Sequence, residues 1–177
     1  MIWLVFISSF IMSKSTPTFT EYFPGLIPAE TASFAYEYLR DNIQWEQGIL
    51  SRSGPTRLAK SLDLEDDDVV RTLVTTGLSG LSKGKNKVST LAILGVYLNN
   101  YVTGEMYTPN HSHKGTSQII ISLGGTRTLN VGSKNFQMAN GDVAIFGSCI
   151  HGIPKEDTKE GRISIAMFCR IVYSNRI

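Results

Sequence analysis

A chain of 177 residues, 42% of them hydrophobic, can bury one real core without cross-links, and a charged share of 18% is that of an ordinary globular domain. Two cysteines, Cys149 and Cys169, exclude a disulfide framework and fit a reducing, intracellular compartment. The formal charge of +2 permits a nucleic-acid partner without arguing for one, because a solvated basic surface accounts for it equally well.

Met1 to Met12 is apolar but falls short of the roughly 18 residues that span a bilayer. It lacks a basic n-region and a small-x-small cleavage site, so no membrane association is expected. Translation from Met12 would give a polar opening instead. Residues 1–22 are therefore read as a flexible leader and 23–177 as one domain. Phe23-Pro24-Gly25-Leu26-Ile27-Pro28 marks a turn. Phe34, Ala35, Tyr38 and Leu39 then repeat at helical spacing, which predicts a helix near Ala29–Arg40. Ile43–Ile49 reads as a short strand, and Arg52 to Leu58 as a basic, turn-rich loop. From Leu64 to Val74 apolar residues follow the acidic run Glu65-Asp66-Asp67-Asp68, the pattern of a helix start whose positive end attracts carboxylates. Glycines and lysines between Gly77 and Lys87 predict a flexible loop.

The second half changes character. Leu91–Leu98, Ser117–Leu123, Thr128–Val131, Phe136–Met138, Asp142–Phe146 and Arg162–Val172 are β-rich runs separated by Gly, Asn and Pro. In the last of them Ile163, Ile165, Met167, Cys169 and Ile171 share one face, and Arg162, Ser164, Ala166, Phe168 and Arg170 the other. One face packs into a core while the other meets a polar lumen or solvent. Many short strands at this spacing predict a sandwich or barrel, hence a β-rich α+β fold with the helices ahead of the sheet.

His111, His113 and His151 are all the histidines of the chain. At i and i+2, His111 and His113 would leave the same face of an extended strand. With His151 arriving from a second strand, three imidazoles could hold a divalent metal and leave positions open for chemistry. Histidines in an exposed loop and a turn are the equal alternative from spacing alone. Cys149, two residues before His151, reads either as a lining residue or, more commonly for its type, as a small buried one.

Around the histidines stand, in order, Asn99-Asn100-Tyr101-Val102-Thr103-Gly104, then Ser122-Leu123-Gly124 with Arg127, Gly141-Asp142, and Arg162 eleven residues beyond His151. From about Leu91 to Arg170 this ordered set resembles the AlkB family of iron(II)- and 2-oxoglutarate-dependent dioxygenases. The resemblance implies a double-stranded β-helix (jelly-roll) with the N-terminal helices packed outside it. It also implies iron on His111, His113 and His151, and 2-oxoglutarate held by Asn99, Tyr101 and Arg162. A planar guanidinium suits bidentate carboxylate recognition. The implied activity is oxidative demethylation of N-alkylated bases in nucleic acid by a monomeric intracellular enzyme. Arg52, Arg57, Lys60, Lys83, Lys85 and Lys87 are then candidate phosphate contacts, although a solvated surface charge is the commoner fate of each. Trp45 would stack a base, core packing being its commoner role.

The chain departs from that pattern twice. His113 stands where the family has a carboxylate ligand, which removes one negative charge and implies weaker iron binding. Phe168 stands where the family has a second arginine, with Arg170 two residues on as a possible substitute. These departures keep two other readings open: a hydroxylase of a protein or small molecule, and a non-catalytic binding module on the same fold. A three-histidine oxygenase that needs no 2-oxoglutarate is opposed by Asn99, Tyr101 and Arg162.

Overall fold

The computed structural model describes residues 19–48, 50–51, 54–84 and 88–173. Residues 1–18 of the expected 1–22 leader, the alternative start at Met12, and Arg52, Lys85 and Lys87 lie outside the described residues, whereas Thr20, Glu21 and Tyr22 of that leader form a strand paired with Phe146, Ile145 and Ala144. The elements in chain order are β1 (Thr20–Phe23), α1 (Ala29–Asn42), β2 (Glu46–Gln47), β3 (Leu50–Ser51), β4 (Gly54–Pro55), β5 (Leu58–Leu62) and α2 (Asp68–Lys83). They continue with β6 (Val88–Tyr101), β7 (Thr108–His111), β8 (Ser117–Gly124), β9 (Arg127–Val131) and β10 (Lys134–Met138). The last are β11 (Val143–Phe146), β12 (His151–Ile153) and β13 (Arg162–Tyr173).

The strands form a seven-stranded major sheet, ordered β1-β11-β8-β13-β6-β5-β2, and a four-stranded minor sheet, β10-β9-β12-β7. Every pairing in both is antiparallel. The two sheets face one another as a jelly-roll, as expected. Alternation along β13 divides the core in two. Ile163, Ile165, Met167 and Cys169 pack with Leu98, Ile119 and Ile121 under Ala35 and Leu39 of α1 and Leu73 and Val74 of α2. From the opposite face Ala166 joins Ile120, Ala144 and Phe146 against Leu129, Val131 and Ile153 of the minor sheet. Trp45 packs against the helix-side core, so core packing is its role.

Both helices form, with two corrections. Asp67 caps α2, its carboxylate accepting the Val70 amide at 2.9 Å, as the acidic run suggested. The helix then runs to Lys83, through much of the segment read as a loop. Gly77 and Gly80 are buried contact points there: a Cβ on Gly77 would lie 2.9 Å from Cδ1 of Ile121. Their missing side chains let α2 lie close on the sheet, which outweighs the modest helix cost of glycine. On α1 the buried stripe is Ala32, Ala35 and Leu39, while Phe34 is 62% exposed.

The Gly141-Asp142 turn ties the start of the chain to the sheet. Gly141 has φ 89°, a left-handed conformation that favours glycine. The Asp142 carboxylate accepts hydrogen bonds from the Tyr22 hydroxyl, the Gly25 amide and the Ala139 amide. Burial, together with Asp142, pushes the Tyr22 phenol up to about 12. Replacing Asp142 with alanine strands the Gly25 and Ala139 amides at a buried turn and leaves the Tyr22 hydroxyl only its longer bond to the Gln137 carbonyl. The expected loss is about 3 kcal/mol, on the order of one to three for each unsatisfied group with partial relief from water. A lower urea midpoint with an unchanged slope would register it.

Candidate metal and carboxylate site

The three histidines converge. His151 opens β12 directly opposite His111 at the end of β7, so the two imidazoles leave the same face of the minor sheet. Their ring centroids are 4.3 Å apart. His113 follows just beyond the strand end with its ring edge-on to that of His111 at 4.8 Å. One ligand atom from each of the three lies within 4.8 Å of the others, close enough for a single ion.

Backbone carbonyls orient two of the rings. His111 Nδ1 lies 2.8 Å from the Pro109 carbonyl oxygen and His151 Nδ1 2.9 Å from that of Cys149. A carbonyl only accepts, so Nδ1 of each donates and Nε2 keeps its lone pair for a metal. Burial pushes the His151 imidazole down to about 4, and burial with the neighbouring His111 lowers His113. Both rings are therefore neutral at pH 7, the form that ligates metal.

Arg127, fully buried, donates to the carbonyls of Thr103, Gly104, Met106 and Pro154 at 2.8–3.3 Å and faces Glu156 at 3.3 Å. It thus pins the loop between β6 and β7 that delivers His111, and its fixed fork is what lets one side chain hold four carbonyls. A Cβ on Gly104 would collide with the Glu156 carbonyl, which explains the glycine in that loop. Arg127 is a support of the site.

Arg162 is different. It is fully buried, donates from Nε to Ser122 Oγ at 2.8 Å, and lies over the Tyr101 ring at 5.4 Å. Its Nη1 and Nη2 are buried with no hydrogen-bond partner. Burial pushes its guanidinium down to about 10, still charged at neutral pH. A buried cation with two unsatisfied nitrogens is costly unless something pairs with it. Arg162 and the three histidines line one cavity of about 710 Å³ between the sheets, together with Asn99, Tyr101, Ser164 and Phe168. A carboxylate reaching the two nitrogens would pair with the fork in a bidentate manner.

The other expected site residues are placed as follows. Tyr101 is buried with its hydroxyl 2.7 Å from Thr108 Oγ1. Asn99 is buried and its Oδ1 accepts from Arg57 Nε at 2.6 Å. Arg57 therefore reaches into the cavity, a placement its sequence context did not disclose. Lys60 lines the same cavity, ion-paired with Glu46. Lys83 is exposed at the end of α2 and is not among the lining residues. Arg170 is exposed and also absent from the lining, so it does not substitute for the arginine position held by Phe168. Cys149 packs, partly buried, at the edge of the inter-sheet core.

No family model matches the chain, and no curated protein matches it by sequence. Solved structures match its fold. The viral collagen prolyl hydroxylase of Paramecium bursaria Chlorella virus-1, in a 2-oxoglutarate complex, superposes with a TM-score of 0.62 at 10% identity, over 85% of this chain and 95% of that one. SnoN, a non-heme α-ketoglutarate-dependent epimerase of nogalamycin biosynthesis, gives 0.64 at 15% identity, over 86% and 77%. HygX of Streptomyces hygroscopicus, with nickel and 2-oxoglutarate bound, gives 0.63 at 10% identity, over 86% and 83%. At such identities the likeness establishes the fold.

Proposed function

We propose that the protein is an iron(II)- and 2-oxoglutarate-dependent oxygenase, with the metal on His111, His113 and His151 and the cosubstrate's far carboxylate on Arg162. The observation that carries this reading is the fully buried Arg162, whose unpartnered Nη1 and Nη2 share a cavity with three converging imidazoles. The matched folds belong to proteins described with 2-oxoglutarate, nickel or iron, which supports the same cofactors here. Iron(II), when bound, supplies the chemistry that couples 2-oxoglutarate breakdown to succinate and carbon dioxide with oxidation of a substrate C–H bond. The chain's own part is positioning. Carbonyl-anchored His111 and His151 present fixed Nε2 donors, Arg162 fixes the cosubstrate's direction, and Tyr101 with the apolar floor of Ile120, Leu129 and Ile153 restricts water.

For the substrate, an N-alkylated base in nucleic acid follows from the AlkB resemblance and is supported by Arg57 and Lys60 on the cavity wall. Hydroxylation of a peptide or small molecule is favoured by one observation: Arg57 is engaged with Asn99 and Lys60 with Glu46, so both candidate phosphate contacts already have partners. Succinate and formaldehyde release on methylated single-stranded DNA and RNA, with and without added iron(II), tests both readings. Iron-dependent formaldehyde is expected from a methylated oligonucleotide. Iron-dependent succinate without formaldehyde would move the substrate to the second reading, and folded protein that makes no iron-dependent succinate would remove the oxygenase reading.

A further inference from the structure

Beside the histidines the cavity carries a wall that metal and cosubstrate binding do not use. The β6–β13 register steps from Phe168↔Gly95 to Cys169↔Ile93, leaving Leu94 as an extra, bulged residue. Bulges re-aim side chains, and Leu94 lines the cavity while remaining 50% exposed. Next to it, Gly95 leaves room for the ring of Tyr97: a Cβ there would lie 3.2 Å from Tyr97 Cε2. Tyr97 is 44% exposed and meets Phe168 edge to face at 5.2 Å and 86°. Phe168 in turn meets His113 at 4.7 Å and 89°. A perpendicular series of rings therefore runs from the cavity mouth to a metal-ligand candidate, with an open ring at its outer end.

Charge narrows what this wall receives. Among the described lining residues Glu46 is the one carboxylate, and Lys60 neutralises it. Arg57 and Arg162 add positive charge to the same cavity. With Arg162 matched by a cosubstrate carboxylate, Arg57 remains the second guanidinium on the cavity wall, its Nε and Nη1 held by Asn99 and Thr56, and a ligand anion would have to share it with them. We propose that Leu94, Tyr97 and Phe168 form the substrate platform and that it takes a flat aromatic ring carrying an anionic group, carboxylate or phosphate, with Arg57 opposite the charge. Ring on ring, edge or offset face, is the favoured packing at these separations, and a saturated ring lacks the matching quadrupole. The proposal rests on the oxygenase reading for the reaction that follows, and not for binding itself.

The test is a titration of the full chain, both metal-free and saturated with zinc and 2-oxoglutarate, followed by saturation-transfer NMR. The probes are indole-3-acetate, cyclohexylacetate, indole-3-ethanol and 1-methyladenosine 5′-monophosphate. Indole-3-acetate or the nucleotide is expected to bind about threefold or more tighter than cyclohexylacetate, and indole-3-acetate about tenfold tighter than the uncharged indole-3-ethanol. Whichever of the two anions binds tighter identifies the source of the charge. Tyr97→Leu should remove the preference for aromatic over saturated rings, and Arg57→Met the preference for acid over alcohol. Gly95→Ala keeps every ring and makes that of Tyr97 give by only a few tenths of an ångström, so it should weaken aromatic probes slightly and saturated ones not at all. Equal binding of cyclohexylacetate and indole-3-acetate, or an aromatic preference that survives Tyr97→Leu undiminished, overturns the proposal. The 2-oxoglutarate titration of the same samples separates the two readings: its failure with the ring preference intact removes the oxygenase and leaves the platform.

Discussion

Arg162→Met is expected to weaken 2-oxoglutarate binding about a hundredfold while leaving metal uptake at the three histidines unchanged. Removing one partner of a desolvated, bidentate guanidinium–carboxylate pair costs about 3 kcal/mol, which corresponds to roughly two orders of magnitude in affinity. The same substitution should stabilise the folded protein in the absence of the cosubstrate. Arg162 Nη1 and Nη2 are buried without hydrogen-bond partners, so the wild-type chain carries a buried charge met only by Ser122, the Tyr101 ring and the more distant Glu156, which an unbranched apolar side chain of similar length avoids. A structural arginine predicts the reverse. Arg127, with four carbonyls and Glu156 around it, is the internal comparison: Arg127→Met should destabilise. Calorimetric titration of 2-oxoglutarate beside urea unfolding of both variants reads the split. A less stable Arg162→Met that still binds 2-oxoglutarate normally would place Arg162 among the structural residues.

Much of this division was legible before the fold was known, because a strand of period two sorts its own side chains. Arg162, Ser164, Ala166 and Phe168 face the cavity, and Ile163, Ile165, Met167 and Cys169 face the helices, as alternation required. The histidine set was legible as a possibility, since an i, i+2 pair needs only one partner strand. What could not be read were features that depend on long-range pairing. The strand β7, Thr108-Pro109-Asn110-His111, contains two poor strand formers and exists because β12 pairs with it. Arg57 meets Asn99 because β5 sits beside β6, with Ala59 opposite Asn99. The bulge at Leu94 leaves no trace in local composition. The α2 glycines misled for a related reason: glycine marks a loop locally, whereas here its absent side chain serves a contact with Ile121 made across the fold. The helical spacing grouped Phe34 with Ala35, Tyr38 and Leu39, whereas the face of α1 turned to the core is Ala32, Ala35 and Leu39, and Phe34 lies outside it.

His113→Asp is expected to raise the affinity for manganese(II) about tenfold or more in the absence of 2-oxoglutarate, and to raise nickel(II) affinity less. Three neutral imidazoles suit the later first-row metals, whereas a carboxylate adds a hard, anionic donor that favours manganese and iron. On the proposed reading the missing negative charge would be replaced by the near carboxylate of a cosubstrate whose far carboxylate Arg162 holds. Metal and 2-oxoglutarate should therefore bind with strong mutual enhancement, each raising the affinity for the other by the same factor as linkage requires. In His113→Asp that enhancement should shrink, because the anionic ligand is already in place. If the wild-type triad binds manganese equally well with and without 2-oxoglutarate, the charge argument fails even though the metal site stands. The neighbouring Phe168 sharpens the experiment. Its ring lies edge-on to His113 at 4.7 Å, so part of the histidine's place in the site is packing rather than ligation. His113→Phe preserves that packing without a donor atom. It should keep the fold and lose the metal, whereas His113→Asp should give up the ring contact and keep the metal. Opposite responses of stability and metal uptake in the two variants would establish that His113 is a ligand, and loss of neither property in His113→Phe would establish that it is not.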